Sequence, residues 1–332
     1  MISQSIRILE ELQHPTGLFS ASRKNVPTGY NLSWLRDNVY AVLGFEAVGN
    51  NKAVRKTYCA LLDIFLKHEY KIDWMIKEPE PKHRHRYIHA RFHPITFEEI
   101  DGEWGNKQND AVGAILFKIG ELESKGYGIL RGENDIRILQ KLVMYLHSIH
   151  YWHDEDSGIW EENEEVHASS IGACVAGLKA VSKISGIRIP AGLIEKGEEA
   201  LNKLLPRESK TKETDLALLS LIYPYAVVND EQKKLILKNV EEKLVREKGV
   251  IRYSDDKYYN EGAEAEWCFG FPWLAIIYKE TDAEKHTYYL KKTMEVANES
   301  GEIPELYIGG LNVANENTPL AWGQSLAVVA GV

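Results

Sequence analysis

Apolar positions recur along the chain with a helical period, in about twelve runs. The runs fall into pairs. The first member of each pair is amphipathic, and the second is apolar nearly all round. The predicted pairs are Ser3–Gln13 with Asp37–Val48, Lys52–Ile76 with Asp110–Glu121, and Asn134–Trp152 with His167–Ser182. They continue as Ala191–Leu204 with Thr214–Ala226, Glu231–Glu247 with Gly262–Tyr278, and Asp282–Ser300 with Pro319–Val332. A helix without a polar face has to be covered on most sides. Six pairs repeating every ~55 residues therefore predict an all-α ring, apolar helices inside and amphipathic ones outside. An open solenoid would need polar capping repeats at its ends. The final run, Pro319–Val332, carries no charge, so either ring closure or further chain must cover it. Strand signals are sparse. Leu306–Val313, centred on Gly309-Gly310, reads as a small hairpin, and Thr318-Pro319 reads as an N-cap followed by a first-turn proline.

The polar and aromatic residues that break this pattern concentrate in the loops entering the second helix of each pair. Those loops would gather at one end of the ring, beside helix N-termini whose free N–H groups favour carboxylates and oxygen-rich ligands. The first contains Tyr30, Trp34, Arg36 and Asp37; the second ends Glu103-Trp104-Gly105-Asn106-Lys107-Gln108-Asn109-Asp110. The third contains Trp160-Glu161-Glu162, and the fifth Arg252-Tyr253 followed by Glu266-Trp267. The sixth carries Glu305, whereas the fourth, Leu205–Glu213, reads as a charged, solvated turn. Flat rings suit the C–H faces of a sugar, and forked donors beside carboxylates suit its hydroxyls.

Composition narrows the function. The 332 residues carry a net charge of −9 and no basic stripe, which argues against nucleic acid. No apolar run reaches the roughly 18 residues of a membrane span, and the N-terminus lacks a signal-peptide layout. Cys59, Cys174 and Cys268 share no metal or redox spacing, so they read as buried thiols of a reducing, cytoplasmic compartment. His83, His85, His89 and His93 cluster in the second loop, but no zinc spacing matches and arginines are interleaved. There is no phosphate cradle and no G-x-S-x-G elbow. The expectation is one domain over 1–332, with no cofactor or metal and a small oligosaccharide as partner.

Several of these segments, in the same order, resemble glycoside hydrolase family 15, the glucoamylase family. They are Tyr30…Trp34-x-Arg36-Asp37, Trp104-Gly105-x-x-Gln108-x-Asp110, Ile159-Trp160-Glu161-Glu162, Arg252-Tyr253 and Glu305. Trp34-Leu35-Arg36-Asp37-Asn38-Val39-Tyr40, Leu205-Pro206-Arg207-Glu208-Ser209, Glu264-Ala265-Glu266-Trp267 and Thr318-Pro319-Leu320-Ala321-Trp322 resemble in particular the glucoamylase-like domain of phosphorylase kinase alpha and beta subunits. The resemblance implies an (α/α)6 barrel and an inverting, exo-acting α-glucoside hydrolase. Glu161 would be the general acid and Glu305 the general base, with carboxyls roughly 6.5–9.5 Å apart around a water. Glu162 would bind substrate beyond the cleaved bond. Arg36, Asp37 and Arg252 would grip the terminal glucose, and Tyr30 and Trp104 would surround it. Trp34, Trp160 and Trp267 complete the candidate sugar-binding set. Glu162 and the Trp160 ring are expected to favour a protonated Glu161. No starch-binding module or preceding β-sandwich accompanies the barrel, which argues against raw starch. The phosphorylase kinase likeness also allows a sugar-binding regulatory module without catalysis.

Overall fold

The computed structural model describes residues 2–23, 25–79, 86–100, 102 and 107–332. Its outer helices are α1 (Ile2–Leu12), α3 (Asn51–Lys67), α6 (Glu133–Ser148), α8 (Leu193–Leu204), α9 (Asp230–Lys243) and α11 (Ala283–Val296). Its inner elements are α2 (Leu35–Ala47), α5 (Asn109–Ser124), α7 (Ala168–Val181), a 3-10 helix (Leu216–Leu221), α10 (Gly270–Tyr278) and α12 (Ala321–Gly331). A further helix, α4 (Glu69–Lys77), packs on α6. The expected contrast in burial is present. In α7 every residue except Lys179 is buried, whereas α8 buries only Leu193, Gly197 and Leu201.

Each inner element touches the next, α2 to α5 to α7 to the 3-10 helix to α10 to α12, and α12 returns to α2. This is the (α/α)6 barrel. The closing seam is bonded as well as packed, since the Gly44 amide in α2 donates to Ser325 Oγ in α12 at 2.7 Å. The uncharged α12 is covered by α1, α2, α10 and α11, so ring closure covers it. The tightest seam, between α5 and α7, depends on glycine. A Cβ on Gly113 would lie 2.4 Å from the Ala173 carbonyl carbon, and one on Gly177 would lie 2.5 Å from the Gly113 oxygen.

Four expected elements differ. The run Lys52–Ile76 breaks at His68, whose ring is drawn to the Phe97 carbonyl at 2.7 Å. The inner run Thr214–Ala226 shortens to Leu216–Leu221, because Pro224 lacks the N–H a helix needs there. The run Gly262–Tyr278 is helical only from Gly270. Its start is spent in β3 (Glu266–Trp267), which pairs antiparallel with β4 (Leu306–Tyr307) and bonds Val250. The small hairpin expected around Gly309-Gly310 is present, closed by the antiparallel Tyr307–Ala314 bridge and the Ile308 amide to the Val313 carbonyl at 2.9 Å, and its first arm pairs with β3 on the other edge. Thr318 and Pro319 do not start α12. Thr318 Oγ1 donates to the Asn315 carbonyl at 2.9 Å, and Leu320 and Ala321 donate to Ile303 and Ala21, so the helix begins at Ala321. The remaining ladder, β1 (Ser33–Trp34) with β2 (Arg91–Phe92), fastens the second loop to the first.

Gly113→Val forces bulk between two backbones and is expected to destabilise the protein by about 1–3 kcal/mol or more. A urea midpoint equal to that of the wild type would contradict the close approach of α5 and α7.

Candidate active site

The inner-helix N-termini surround a cavity of about 280 Å³. Tyr30, Trp34, Arg36, Asp37, Trp160, Glu161, Glu162, Arg252, Trp267 and Glu305 all line it. Every candidate from the sequence is thus brought to one place except Trp104, which lies outside the described residues. Arg91, Tyr258 and Phe269 also line the cavity and escaped the sequence reading. Arg91 is carried in by its strand pairing beside Trp34, a non-local contact without a motif.

Glu161 sits at the apex of a closed loop. Asp156 and Glu165 exchange both backbone hydrogen bonds at the neck, at 2.9 and 3.0 Å, and the Glu162 amide bonds the Ser157 carbonyl at 3.0 Å. Glu161 itself has φ +60°, a left-handed conformation that costs a non-glycine residue about 1–3 kcal/mol and is concentrated at functional sites. Its Oε1 accepts from Gln108 Nε2 at 2.9 Å and lies 3.5 Å from the Arg36 guanidinium. Arg36 is fixed in turn by Gln108 Oε1 at 2.7 Å and Asp110 at 3.2 Å.

The sequence set Glu162 beside Glu161 as a like charge. The structure instead commits Glu162 elsewhere. Its Oε1 accepts from Arg252 at 2.7 Å, and its Oε2 accepts from Lys212 at 2.9 Å and the Tyr253 hydroxyl at 2.6 Å. Burial would raise the Glu162 pKa, but Arg252, Lys212 and these hydrogen bonds outweigh it and hold the group below the usual glutamate range. Its charge is therefore balanced by cations. Arg252 is buried, makes a two-point contact with Asp256 (both 2.7 Å), and lies 5.0–5.4 Å from the Trp160, Tyr258 and Trp267 rings.

Glu305 is buried at the start of the last inner loop. Tyr30 OH donates to Oε1 at 2.6 Å, and Asn315 and Asn317 donate to Oε2 at 2.5 and 2.7 Å. Burial lifts its pKa above the ordinary value, against the pull of the three donors and the charge on Arg252. Asp37 makes no hydrogen bond to a described residue. Burial, opposed by Arg36 and reinforced by Glu161, Glu305 and Asp110, pushes it up to about 7. One side of the cavity is aromatic. Trp160, Trp267 and Phe269 pack at 5.4–6.3 Å, and Phe269 stacks on Trp322 at 4.8 Å.

One other expectation changes. Leu205–Glu213 is not a solvated turn throughout, because Glu208 and Ser209 are buried and Lys212 reaches Glu162. Asp37 lies in the first turn of α2, behind Trp34 at the N-cap. Among the described residues no His/Cys/Asp/Glu group is arranged to hold a metal. Of the histidine cluster, His83 and His85 lie outside the described residues, His89 bonds the Arg91 carbonyl at 2.9 Å, and His93 Nδ1 accepts from two backbone amides. No helix of the described residues is long and apolar enough to cross a membrane.

Comparison with known proteins agrees with this fold. The chain is 26% identical over 400 aligned positions to a probable phosphorylase b kinase regulatory subunit alpha of Caenorhabditis elegans, covering 96% of the chain and 31% of the relative. The skeletal muscle isoform of the Oryctolagus cuniculus subunit is 27% identical, over 74% of the chain and 22% of the relative. The chain thus spans about a third or less of the length of these relatives. Among solved structures, a wild-type glycosidase superposes with a TM-score of 0.84 at 18% identity, over 99% of this chain and 95% of that one. A bacterial glucoamylase complexed with acarbose superposes with a TM-score of 0.71 at 16% identity, over 98% and 54%. The family profile of glycosyl hydrolases family 15 matches residues 2–188, more than half of the chain, and the protein belongs to that family.

Proposed function

We propose that the protein is an inverting, exo-acting α-glucoside hydrolase that releases glucose from the non-reducing end of a short oligosaccharide. The observation that carries this reading is the pair Glu161 and Glu305, which come from the third and sixth loops and line one cavity. In this reading Glu161 delivers a proton to the leaving oxygen. Glu305 takes a proton from the water that attacks the opposite face of the sugar. The raised pKa of Glu305 makes it a better proton acceptor, and its three donors keep the carboxylate in one orientation. Among the described residues, Oε1 accepts only from Tyr30, which leaves it a lone pair for water. Asp37, without a hydrogen-bond donor among the described residues, accepts from the hydroxyls of the terminal glucose, with Arg36 and Arg252 holding the surrounding acids in place. The aromatic side takes the C–H faces of the ring. The three cysteines are unpaired among the described residues, which fits a reducing, cytoplasmic compartment.

A second reading follows from the curated relatives, which are named as regulatory subunits and align over most of this chain. In it, the same cavity binds a sugar without turning it over. Incubation with maltose, maltotriose, isomaltose and trehalose separates the two. Hydrolysis is expected to release glucose from at least one of them. Saturable sugar binding with no glucose from any would overturn the enzymatic reading. Glu161→Gln and Glu305→Gln are each expected to lower kcat by about 10²–10⁴-fold with folding intact, the usual worth of acid–base assistance. Near-wild-type turnover in either variant would show that the wrong carboxylate had been assigned.

The pH profile gives an independent check. Donors to a carboxylate favour its ionised form, so Tyr30→Phe removes a hydrogen bond that lowers the Glu305 pKa. The acidic limb of kcat/KM is therefore expected to move to higher pH in Tyr30→Phe. A limb that stays put or moves to lower pH would exclude Glu305 as the titrating base.

A further inference from the structure

The two residues flanking Glu161 are held by one short segment of the fourth loop. Trp160 Nε1 donates to Asp215 Oδ1 at 2.8 Å, and Lys212 Nζ donates to Glu162 Oε2 at 2.9 Å. The two holders are three positions apart and face each other, with Lys212 Nζ 3.9 Å from Asp215 Oδ2. We infer that Lys212 and Asp215 are positioning residues which together set the direction of the Glu161 carboxyl. This assignment rests on the reading of Glu161 as the proton donor.

The segment is itself fixed from both sides. The Glu208 and Ser209 amides donate to the Lys212 carbonyl at 3.1 and 3.2 Å, and the Ala168 amide at the start of α7 donates to the Glu208 carbonyl at 2.7 Å. On the other side, the Leu216 amide donates to the Arg252 carbonyl at 2.8 Å, and the Ala217 amide bonds Asp215 Oδ1 at 2.7 Å. Lys212 Nζ also sits 4.0 Å from the centre of the Tyr253 ring. Glu161 meanwhile occupies a left-handed backbone position at a loop apex, where a side chain has no helix or strand to aim it. Gln108 and Arg36 meet the carboxylate itself, and the two anchors on its immediate neighbours fix the backbone that presents it to them. The arrangement also explains why Lys212 and Asp215 are buried.

The test uses 15N-tryptophan-labelled protein, with the Trp160 indole signal assigned by its loss in Trp160→Phe, together with steady-state kinetics on whichever of the four sugars the wild type cleaves. Lys212→Met and Asp215→Ala are expected to shift the Trp160 indole signal. They are also expected to lower kcat at least tenfold while leaving KM within about twofold. Lys212→Arg and Asp215→Asn, which keep the cation and the acceptor, are expected to recover most of the rate. Asp215→Ala also removes the cap of the 3-10 helix, so Lys212→Met carries the test if that variant does not fold. An unmoved indole signal in Lys212→Met, or a shifted signal with unchanged kcat in an active enzyme, would overturn the assignment. If the wild type cleaves none of the four sugars, the hydrolase reading fails, and the assignment is overturned with it; an indole shift in Lys212→Met would then show a structural tie alone.

Discussion

The structure depends on one constraint: six largely buried inner segments must each be covered on most sides. A row of such helices would leave two faces open to water. Closing the row leaves none, and the outer helices then need an apolar stripe on one side only. Closure also brings the N-terminal ends of the inner helices together, with the loops that precede them. Asp37 and Asp110 lie in first turns, Asp215 caps the 3-10 helix, and Trp322 belongs to the start of α12. The cavity is thus a consequence of how the core is covered. A core that closed through bulkier side chains at Gly113 or Gly177 would push these loops apart.

Within the cavity, environment assigns different states to carboxylates that line the same walls. Glu162 has two cations and a hydroxyl and is held ionised. Glu305 is buried with only neutral side-chain donors, so its pKa rises. Asp37 has no donor among the described residues and reaches about 7. A hydrolase needs such separation, because one carboxyl must give a proton while another takes one. The cations are nearly all spent on specific acids, Arg252 on Asp256 and Glu162, and Arg36 on Asp110 and Glu161.

Much of this was legible in the sequence because burial writes itself into periodicity. The absence of charge in Pro319–Val332 and the near absence in His167–Ser182 identified inner helices before any coordinate. Element starts were less legible. Gly262–Trp267 and Thr318–Leu320 look helical or capped locally, yet backbone pairing across long sequence distances claims them. For the site, acids next to tryptophans were visible as clusters. The contributions of Lys212, Asp215 and Arg91 were not, because each acts through a partner far away in sequence, and Leu205–Glu213 has the composition of an exposed turn. The commitment of Glu162 to Arg252 was hidden for the same reason: 90 residues separate the two.

The central claim is that Glu161 and Glu305 act across one cavity, the first as acid and the second as the base for water. The anomeric form of the first glucose released tests it most directly. Proton NMR during the initial phase of hydrolysis of an α-linked substrate distinguishes the two anomers before they equilibrate. The account predicts β-glucose first. α-Glucose first would mean retention of configuration, and it would contradict Glu305 as the group that activates water.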